Sequence, residues 1–521
     1  MPMKFVYDKL WFRLTEKGML KKDLREAAGI SRTSMAKLAK NENVTTEVLE
    51  KICTALDCDI NDILETKRTE DNTQAKTHDA IAEKIYGLNS FFSGIGGFDI
   101  AFERHGFATQ YLCEINGFCN EVLKAHWPRV KKGSDIDKVE ADDIPQAEVW
   151  CGGFPCQDIS VARGSAERLG LNGSRSGLFY RFAALLEKRL PEVVIIENVE
   201  GLYNSNGGRD FGVIVQKMLS MGYAVAWRLL NSRYFGVPQS RPRVYLCCWM
   251  DNPVKALSVM FDAEGAYKPH HNERKGFLTE SNGPDEYPKV PQTAYCLAAT
   301  SGRHTGTDWS RTYVVCEDGV RRLTPVEYER LQGFPDLWTL PSEYSNNDDT
   351  DTLRYTVLGN AVSVPVVEWI AARVHKQLGI ETEDFNNDDL HSQVPEFKKC
   401  TWSAENISDI DFTDADKSYK WPRAGLAWSG LYIGTNIHPA PAVPVESTVY
   451  EVVEKGNVGE RYYLTPNAAE GILRRVDSQG RKLFEPLRAA LEIEKNKKCS
   501  KEEINDDEFY ACNSAARKDE R

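Results

Sequence analysis

The stretch Cys151-Gly152-Gly153-Phe154-Pro155-Cys156-Gln157 follows an apolar run, Ala147-Glu148-Val149-Trp150. A strand that ends in a glycine turn presents the next residues at the mouth of a cleft. Cys156 therefore stands where a reactive thiol would be displayed. Further on, Val193-Val194-Ile195-Ile196-Glu197-Asn198-Val199 reads as a second buried strand, with a carboxylate and an amide at its end. A cysteine nucleophile beside a carboxyl proton donor suits covalent attack on an electron-poor ring. A cysteine taken alone is more often a small, inert core residue. That reading holds for most cysteines of this chain, and Cys156 departs from it through its company.

Ser90-Phe91-Phe92-Ser93-Gly94-Ile95-Gly96-Gly97-Phe98 reads as a strand, a glycine turn and a helix start. The dinucleotide fingerprint Gly-x-Gly-x-x-Gly fails because residue 99 is Asp, which disfavours NAD. The turn still lets a ligand approach the backbone closely at the carboxyl ends of the strands. Glu114 ends the next strand, where a carboxylate can accept both hydroxyls of a ribose, and Asp135 lies just beyond the following apolar step. Asn231-Ser232-Arg233-Tyr234-Phe235-Gly236-Val237-Pro238-Gln239-Ser240-Arg241-Pro242-Arg243 places alternating arginines on a strand. A solvated strand edge is the plain alternative for Arg241 and Arg243. Gln239 weakens it by completing Gln-x-Arg-x-Arg, and Pro242 removes a backbone donor between them.

Three more blocks follow: Arg321-Arg322-Leu323-Thr324-Pro325, Leu331-Gln332-Gly333-Phe334-Pro335 and Leu358-Gly359-Asn360-Ala361-Val362. In this order the blocks resemble the DNA (cytosine-5) methyltransferase family over residues 88–378. The resemblance implies S-adenosylmethionine as cofactor. Gly94, Gly96 and Gly97 would hold its methionine part, Glu114 its ribose and Asp135 its adenine. Phe92, Phe98 and Leu178 would make apolar contacts, although core packing is an equal reading for the two phenylalanines. Asn360 would lie near the cofactor. Cys156 would add to carbon 6 of cytosine, turning the ring into an enamine that attacks a methyl group through carbon 5. Glu197 would hydrogen-bond or protonate ring nitrogen 3 and the exocyclic amine. Arg243, with Arg241, would hold the carbonyl oxygen. Both roles stabilise charge that develops in the transition state. A base inside a duplex is out of reach of such a thiol, so the nucleotide must flip out. Residues 160–175 have the glycines and arginines of a mobile lid, with a plain surface loop as the alternative. Ser160, Arg163, Arg175 and Gln239 are the expected DNA contacts there.

These residues need a scaffold. Over residues 88–243 short apolar segments (108–114, 148–151, 193–197, 224–230, then 244–249) alternate with helical ones such as 115–126 and 177–188. That alternation predicts a doubly wound α/β domain, which the resemblance identifies as an S-adenosylmethionine-dependent methyltransferase fold. The catalytic domain is expected over 87–249, completed by 355–380. A smaller target-recognition domain of irregular sequence is expected over 250–354. Thr324 caps a helix that has Pro325 in its first turn, and 364–378 reads as a final amphipathic helix.

Residues 1–65 read as an all-α unit similar to phage-repressor helix-turn-helix domains. Gly29-Ile30-Ser31 is a turn with a serine N-cap, and Val48, Leu49, Ile52 and Leu56 form a helical stripe. Arg32, Thr33 and Lys37 would face DNA from the helix that follows. A docking or dimerising module is the alternative. Residues 66–86 read as a linker and 381–400 as an acidic one. Residues 401–495 read as an accessory region without an assigned role, with packing favoured over a second DNA surface. Residues 496–521 read as a disordered tail.

The 521 residues are 41% hydrophobic and 27% charged, which fits a multidomain globular chain. Nothing resembles a signal peptide or a membrane span. Thirteen cysteines without regular spacing predict free thiols in a reducing cytoplasm. The absence of Cys-x-x-Cys disfavours a structural metal. A net charge of −12 argues against nucleic acid as a partner unless acid is segregated. Acid does gather at 347–351, 381–384 and 502–508, whereas 163–181 and 228–243 are basic, so a basic cleft is expected on an acidic body. The expected partner is double-stranded DNA. A restriction endonuclease acting on the same site, without physical attachment, is a second. A catalytic monomer is expected, with dimerisation through the N-terminal domain as an option. The competing functions are a transfer-RNA cytosine methylase on the same fold, and a repressor that carries a decaying enzyme. A separate recognition region disfavours the first, and the intact Cys156, Glu197, Arg241 and Arg243 disfavour the second.

Overall fold

Met3–Val6 (β1) pairs antiparallel with Glu65–Arg68 (β2), Met3 opposite Arg68. The computed structural model describes the chain apart from residues 1–2, 8–9, 11–18, 20–23, 26, 40–43, 57, 61–62, 69–83, 155–176, 262–274, 284–285, 301–309, 381–404, 408–409, 413, 415, 457 and 498–521. Two units result, Met1–Glu83 and Lys84–Arg521. In the first, helices Arg32–Ala39 (α1) and Thr46–Leu56 (α2) bury Leu38, Leu49, Ile52 and Leu56 against Leu24, Ile30 and Ile63. Gly29 takes a positive φ of 60° and Ser31 Oγ accepts from Ser34 N at 3.0 Å, so the expected turn and serine cap are both formed. The linker expected from residue 66 gives way to β2 as far as Arg68. Glu65-Thr66-Lys67-Arg68 has no apolar side chain to mark a strand; its pairing with Lys4 and Phe5 makes it one.

In the second unit the apolar runs are strands, largely covered on both faces as parallel strands require, with only the short edge strand of Lys131–Gly133 more open. They are Tyr86–Phe91 (β3), Phe107–Cys113 (β4), Lys131–Gly133 (β5), Val149–Gly152 (β6), Val193–Val199 (β7), Tyr223–Asn231 (β8) and Pro242–Met250 (β9). Five are mutually parallel in the order β5-β4-β3-β6-β7, and β9 inserts antiparallel between β7 and β8. The strand order reverses between β3 and β6. That is the switch point of an open α/β sheet, where a crevice forms beyond the carboxyl ends of the strands. Helices Gly97–Glu103 (α3), Gly117–His126 (α4), Leu178–Arg189 (α5) and Arg209–Ser220 (α6) connect the strands. Two apolar clusters, one on each face, enclose the sheet.

The irregularity expected from residue 250 is interrupted at once by Pro253–Met260 (α7), capped by Asn252 through a bond from Lys255 N. A short hairpin follows, Tyr313–Val315 (β10) and Val320–Arg322 (β11). Pro325–Gln332 (α8) has the capping box of Thr324 and Glu327 at its start and Gly333, φ 84°, at its end. Asp348–Asn360 (α9) is capped by Asn347, and Asp348, Asp349 and Asp351 complement its N-terminal dipole. The expected domain boundary at 354/355 therefore falls inside one helix. Val364–Leu378 (α10) returns to the sheet, burying Val366, Val367, Ile370 and Val374.

The accessory region expected over 401–495 continues the central sheet. Glu405–Asn406 (β12), Ala424–Trp428 (β13) and Leu431–Thr435 (β14) extend it to ten strands, with β13 antiparallel to β8 and Leu426 opposite Ala226. Pro466–Ser478 (α11) and Glu485–Lys495 (α12) form a helical hairpin. No single described helix is long and apolar enough to cross a membrane.

Candidate active site

The carboxyl ends of β3, β4, β6 and β7 converge on a cavity of about 280 Å³. Glu197 enters from β7 and Arg243 from β9, brought together by the pairing of Val199 with Arg243. Arg243 Nε stands 3.2 Å from Glu197 Oε1, and the two side chains are 14% and 13% exposed. Burial raises the Glu197 carboxyl above its ordinary range, against the pull of the Arg243 and Arg241 guanidiniums. Gly153, at the end of β6, packs on this carboxylate: a Cβ there would lie 3.2 Å from Glu197 Oε2. Asn198 is buried and donates from Nδ2 to Phe154 O at 3.5 Å, so β7 also fixes the chain after the glycines. Cys156, Ser160, Arg163 and Arg175 lie outside the described residues. Two residues lie between Gly153 and Cys156, so three residue steps, about 11 Å at most, span them.

Arg241 plays a different part from the one expected. It is 2% exposed, and its Nη atoms donate to Leu297 O at 2.9 Å, Gly359 O at 3.0 Å and Ala361 O at 2.7 Å. Nη1 also lies 3.5 Å from Cys296 Sγ. The Nη hydrogens, four of a guanidinium's five donors, are thus taken up by the protein. Arg241 pins the 297 and 359–361 segments as part of the cavity wall, which it lines together with Arg243. Gln239 is corrected likewise. It is wholly buried, donates to Leu331 O at 2.9 Å and accepts from Leu297 N at 3.0 Å, so it cannot touch DNA.

The opposite end of the cavity has a different chemistry. Glu114 Oε2 accepts from Gly94 N at 2.8 Å and Oε1 from Asn116 N at 2.7 Å. Each oxygen keeps a lone pair for a further donor. Asp135 caps a short turn through Asp137 N and lines the same wall. Phe92 adopts a left-handed φ of 52°, an uncommon conformation for an aromatic residue, and lines the cavity. Leu178 and Asn360 line it too. Gly96 and Gly97 do not. A Cβ on Gly96 would enter the Trp127 ring, and one on Gly97 would lie 2.6 Å from Val362 Cγ2. Both serve close packing of α3, and of the three glycines only Gly94 meets the cavity. Phe98 belongs to the core.

Residues 86–259 and 260–376 match the family model described as C-5 cytosine-specific DNA methylase. The chain belongs to this family. Residues 9–68 of the methylase match a second model, the Cro/C1-type HTH DNA-binding domain. The type II methyltransferase M2.BsuMI of Bacillus subtilis (strain 168) is 31% identical over 347 residues, covering 64% of this chain and 83% of that protein. M.NgoBI of Neisseria gonorrhoeae is 30% identical over 306 residues, covering 54% and 91%. The solved Entamoeba histolytica methyltransferase EhMeth is 19% identical, with a TM-score of 0.42 over 57% of this chain and all of its own.

Sequence reasoning missed several cavity residues of the methylase. Ile115 is 74% exposed and borders the cavity between Glu114 and the helix cap Asn116. An apolar residue outside the stripe of α4 was a readable signal for contact with a flat ring. Thr356, Val357 and Ala361 also line the cavity, but they come from α9 and its end, far away in sequence, and carry no such mark. Among the described residues no group of three or more His, Cys, Asp or Glu gathers to hold a metal ion. In the N-terminal unit Lys37 is exposed on α1; Arg32 and Thr33 belong to that helix, and their side chains lie outside the described residues.

Proposed function

We propose that this methylase modifies cytosine at carbon 5 within a specific short sequence of duplex DNA, through a Cys156 adduct on a flipped-out base. The observation that carries the reading is the buried Glu197 carboxyl, raised above its usual range and held 3.2 Å from Arg243 in one cavity with Glu114. A carboxyl that keeps its proton can donate to ring nitrogen 3, and the guanidinium can hold the neighbouring carbonyl oxygen. Withdrawing charge from the ring lets the thiolate add at carbon 6 and makes carbon 5 nucleophilic. After transfer, the proton on carbon 5 leaves and the thiolate is expelled.

The cofactor end fits S-adenosylmethionine by its donor set. Glu114 can accept the two ribose hydroxyls with the lone pairs its backbone bonds leave open. Phe92, Ile115, Ile136 and Leu178 supply apolar surface for the adenine, and Asp135 an acceptor for its amine. When bound, the cofactor supplies an electrophilic methyl group. Substitution of Cys156 by Ser should abolish transfer and leave cofactor affinity nearly unchanged. A 5-fluorocytosine duplex should trap a covalent complex at Cys156. Turnover by the serine variant, or an adduct at another cysteine, sinks the assignment.

The N-terminal unit supports a second role, on the strength of its match to a Cro/C1-type domain. The enzyme would repress its own gene through Arg32, Thr33 and Lys37 on α1. A gel shift with residues 1–83 tests this; no binding even at low salt, where non-specific contacts are strong, would leave a docking or dimerising module. The type II relatives favour a paired restriction endonuclease that acts at the same site without attachment to a monomeric, cytoplasmic methylase.

A further inference from the structure

The helical hairpin α11–α12 lies beyond the family match and is built onto the hairpin β10–β11. Ile472, Val476, Leu487 and Leu491 share a core with Tyr313, Val315 and Val320. Leu464 N donates to Val320 O at 2.8 Å, and Lys497 Nζ to Asp318 O at 2.7 Å, fastening both ends of the hairpin to β10–β11. The loop between the helices exposes Arg481 and Lys482, then buries Leu483 and Phe484 in a small pocket with Phe277, Tyr295 and Arg311. Tyr295 stacks on Phe277, centroids 4.5 Å apart and planes 6° apart. The next residue, Cys296, has its sulfur 3.8 Å from Arg243 Nη2. The inter-helix loop therefore packs, through Leu483 and Phe484, on the segment that runs directly on to Cys296 beside Arg243.

Its charge is opposite to that of the chain. Residues 474–482 carry Arg474, Arg475, Arg481 and Lys482 against one acid, Asp477, while the whole chain is −12. Arg488 engages that acid at 2.9 Å. Basic residues segregated beside a cleft on an acidic chain attract a polyanion to that place.

We propose that α11–α12 is a second wall of the DNA cleft, with Arg474, Arg481 and Lys482 on backbone phosphates beside the target base. The proposal rests on the reading that duplex DNA enters this cleft. Phosphate contacts add affinity and fix register without reading sequence. In the full chain, a triple substitution of Arg474, Arg481 and Lys482 to Ala should weaken cognate and non-cognate duplexes in parallel. Each lost phosphate contact lowers the log–log salt slope by about 0.9, so the slope should fall by about 2 to 3. The loss of kcat/KM should come through KM for DNA, and cofactor affinity should be unchanged, which also reports an intact fold. An unchanged slope in a triple variant whose parent binds duplex overturns the proposal alone. Weakening confined to the cognate duplex overturns it too, because the residues would then read sequence. A parent that binds no duplex overturns the underlying reading and the proposal together.

Discussion

Arg243 Nε lies 3.2 Å from Glu197 Oε1 across the antiparallel pairing of β7 and β9. The register that pairs Val199 with Arg243 brings a carboxyl and a guanidinium to one end of the cavity. Burial raises the carboxyl, and the guanidinium restrains that rise. The pair thus sets how readily one proton is held where a pyrimidine would dock.

The Glu197→Gln variant should lose about a hundred-fold or more in methyl transfer, the usual contribution of a positioned acid, with cofactor affinity within a few fold. Because the acid form does the work, the parent rate should fall as pH rises through the raised carboxyl value. In Arg243→Met a lowering influence is gone, so that fall should move to higher pH in single-turnover profiles. A profile of Glu197→Gln with the same alkaline limb as the parent would remove Glu197 as the acid.

Arg241 and Arg243 should separate cleanly in stability. Arg241→Met strands the carbonyls of Leu297 and Gly359, each costing about 1–3 kcal/mol when left unsatisfied, and leaves Ala361 O with its bond from Gln332 Nε2 alone. Urea denaturation should show a destabilisation of about 3 kcal/mol or more, with weakened cofactor binding because 359–361 walls the cavity. Arg243→Met should unfold near the parent midpoint while losing activity. Equal losses of stability would return Arg241 to the substrate.

That contrast marks what the sequence discloses. Glu197 and Arg243 were legible because one lies near the end of the apolar strand β7 and the other near the start of the apolar strand β9, at the edge of the sheet where the crevice forms. Arg241 and Gln239 shared the same local pattern, yet their partners lie at 297, 331, 359 and 361, and no local pattern encodes contacts at that separation. The glycine turn was legible as a turn, but only Gly94 faces the cavity; Gly96 and Gly97 answer to Trp127 and Val362. Residues 402–453 are legible only as irregular or strand structure, and the strand Ala424-Gly425-Leu426-Ala427-Trp428 is not placed because its small residues show no alternation. Gly425 is there because a side chain would enter the Trp227 ring.

Asp99, wholly buried on α3, should make stability depend on pH. Burial lifts its pKa from 3.8 to about 7. Between those values the native state holds a proton that the unfolded chain has lost, so stability falls as pH rises through the window. The Asp99→Asn variant, which does not titrate, should gain more over the parent at pH 8 than at pH 5, read as the difference in Tm. An equal difference at both pH values would show that Asp99 does not titrate in this range.

The two ends of the chain should tolerate removal unequally. Residues 1–83 form their own unit with their own core, so their deletion should leave a soluble enzyme with methylation largely intact. Deletion of 379–521 should not. It would strip β13 from β8, exposing the backbone edge at Val225–Arg228, and would remove Trp421 and Tyr432 from the cluster around Trp227 and Phe211. It would also break the bonds of Arg461 and Tyr462 to Asp351 Oδ2, at 3.0 and 2.7 Å, which hold the start of α9. The far end of that helix is cavity wall. An unpaired, apolar sheet edge invites aggregation, so the truncated protein should fractionate as insoluble. A soluble and active 1–378 fragment would show that the catalytic unit ends where the family match does, and that β12–β14 are only an addition to it.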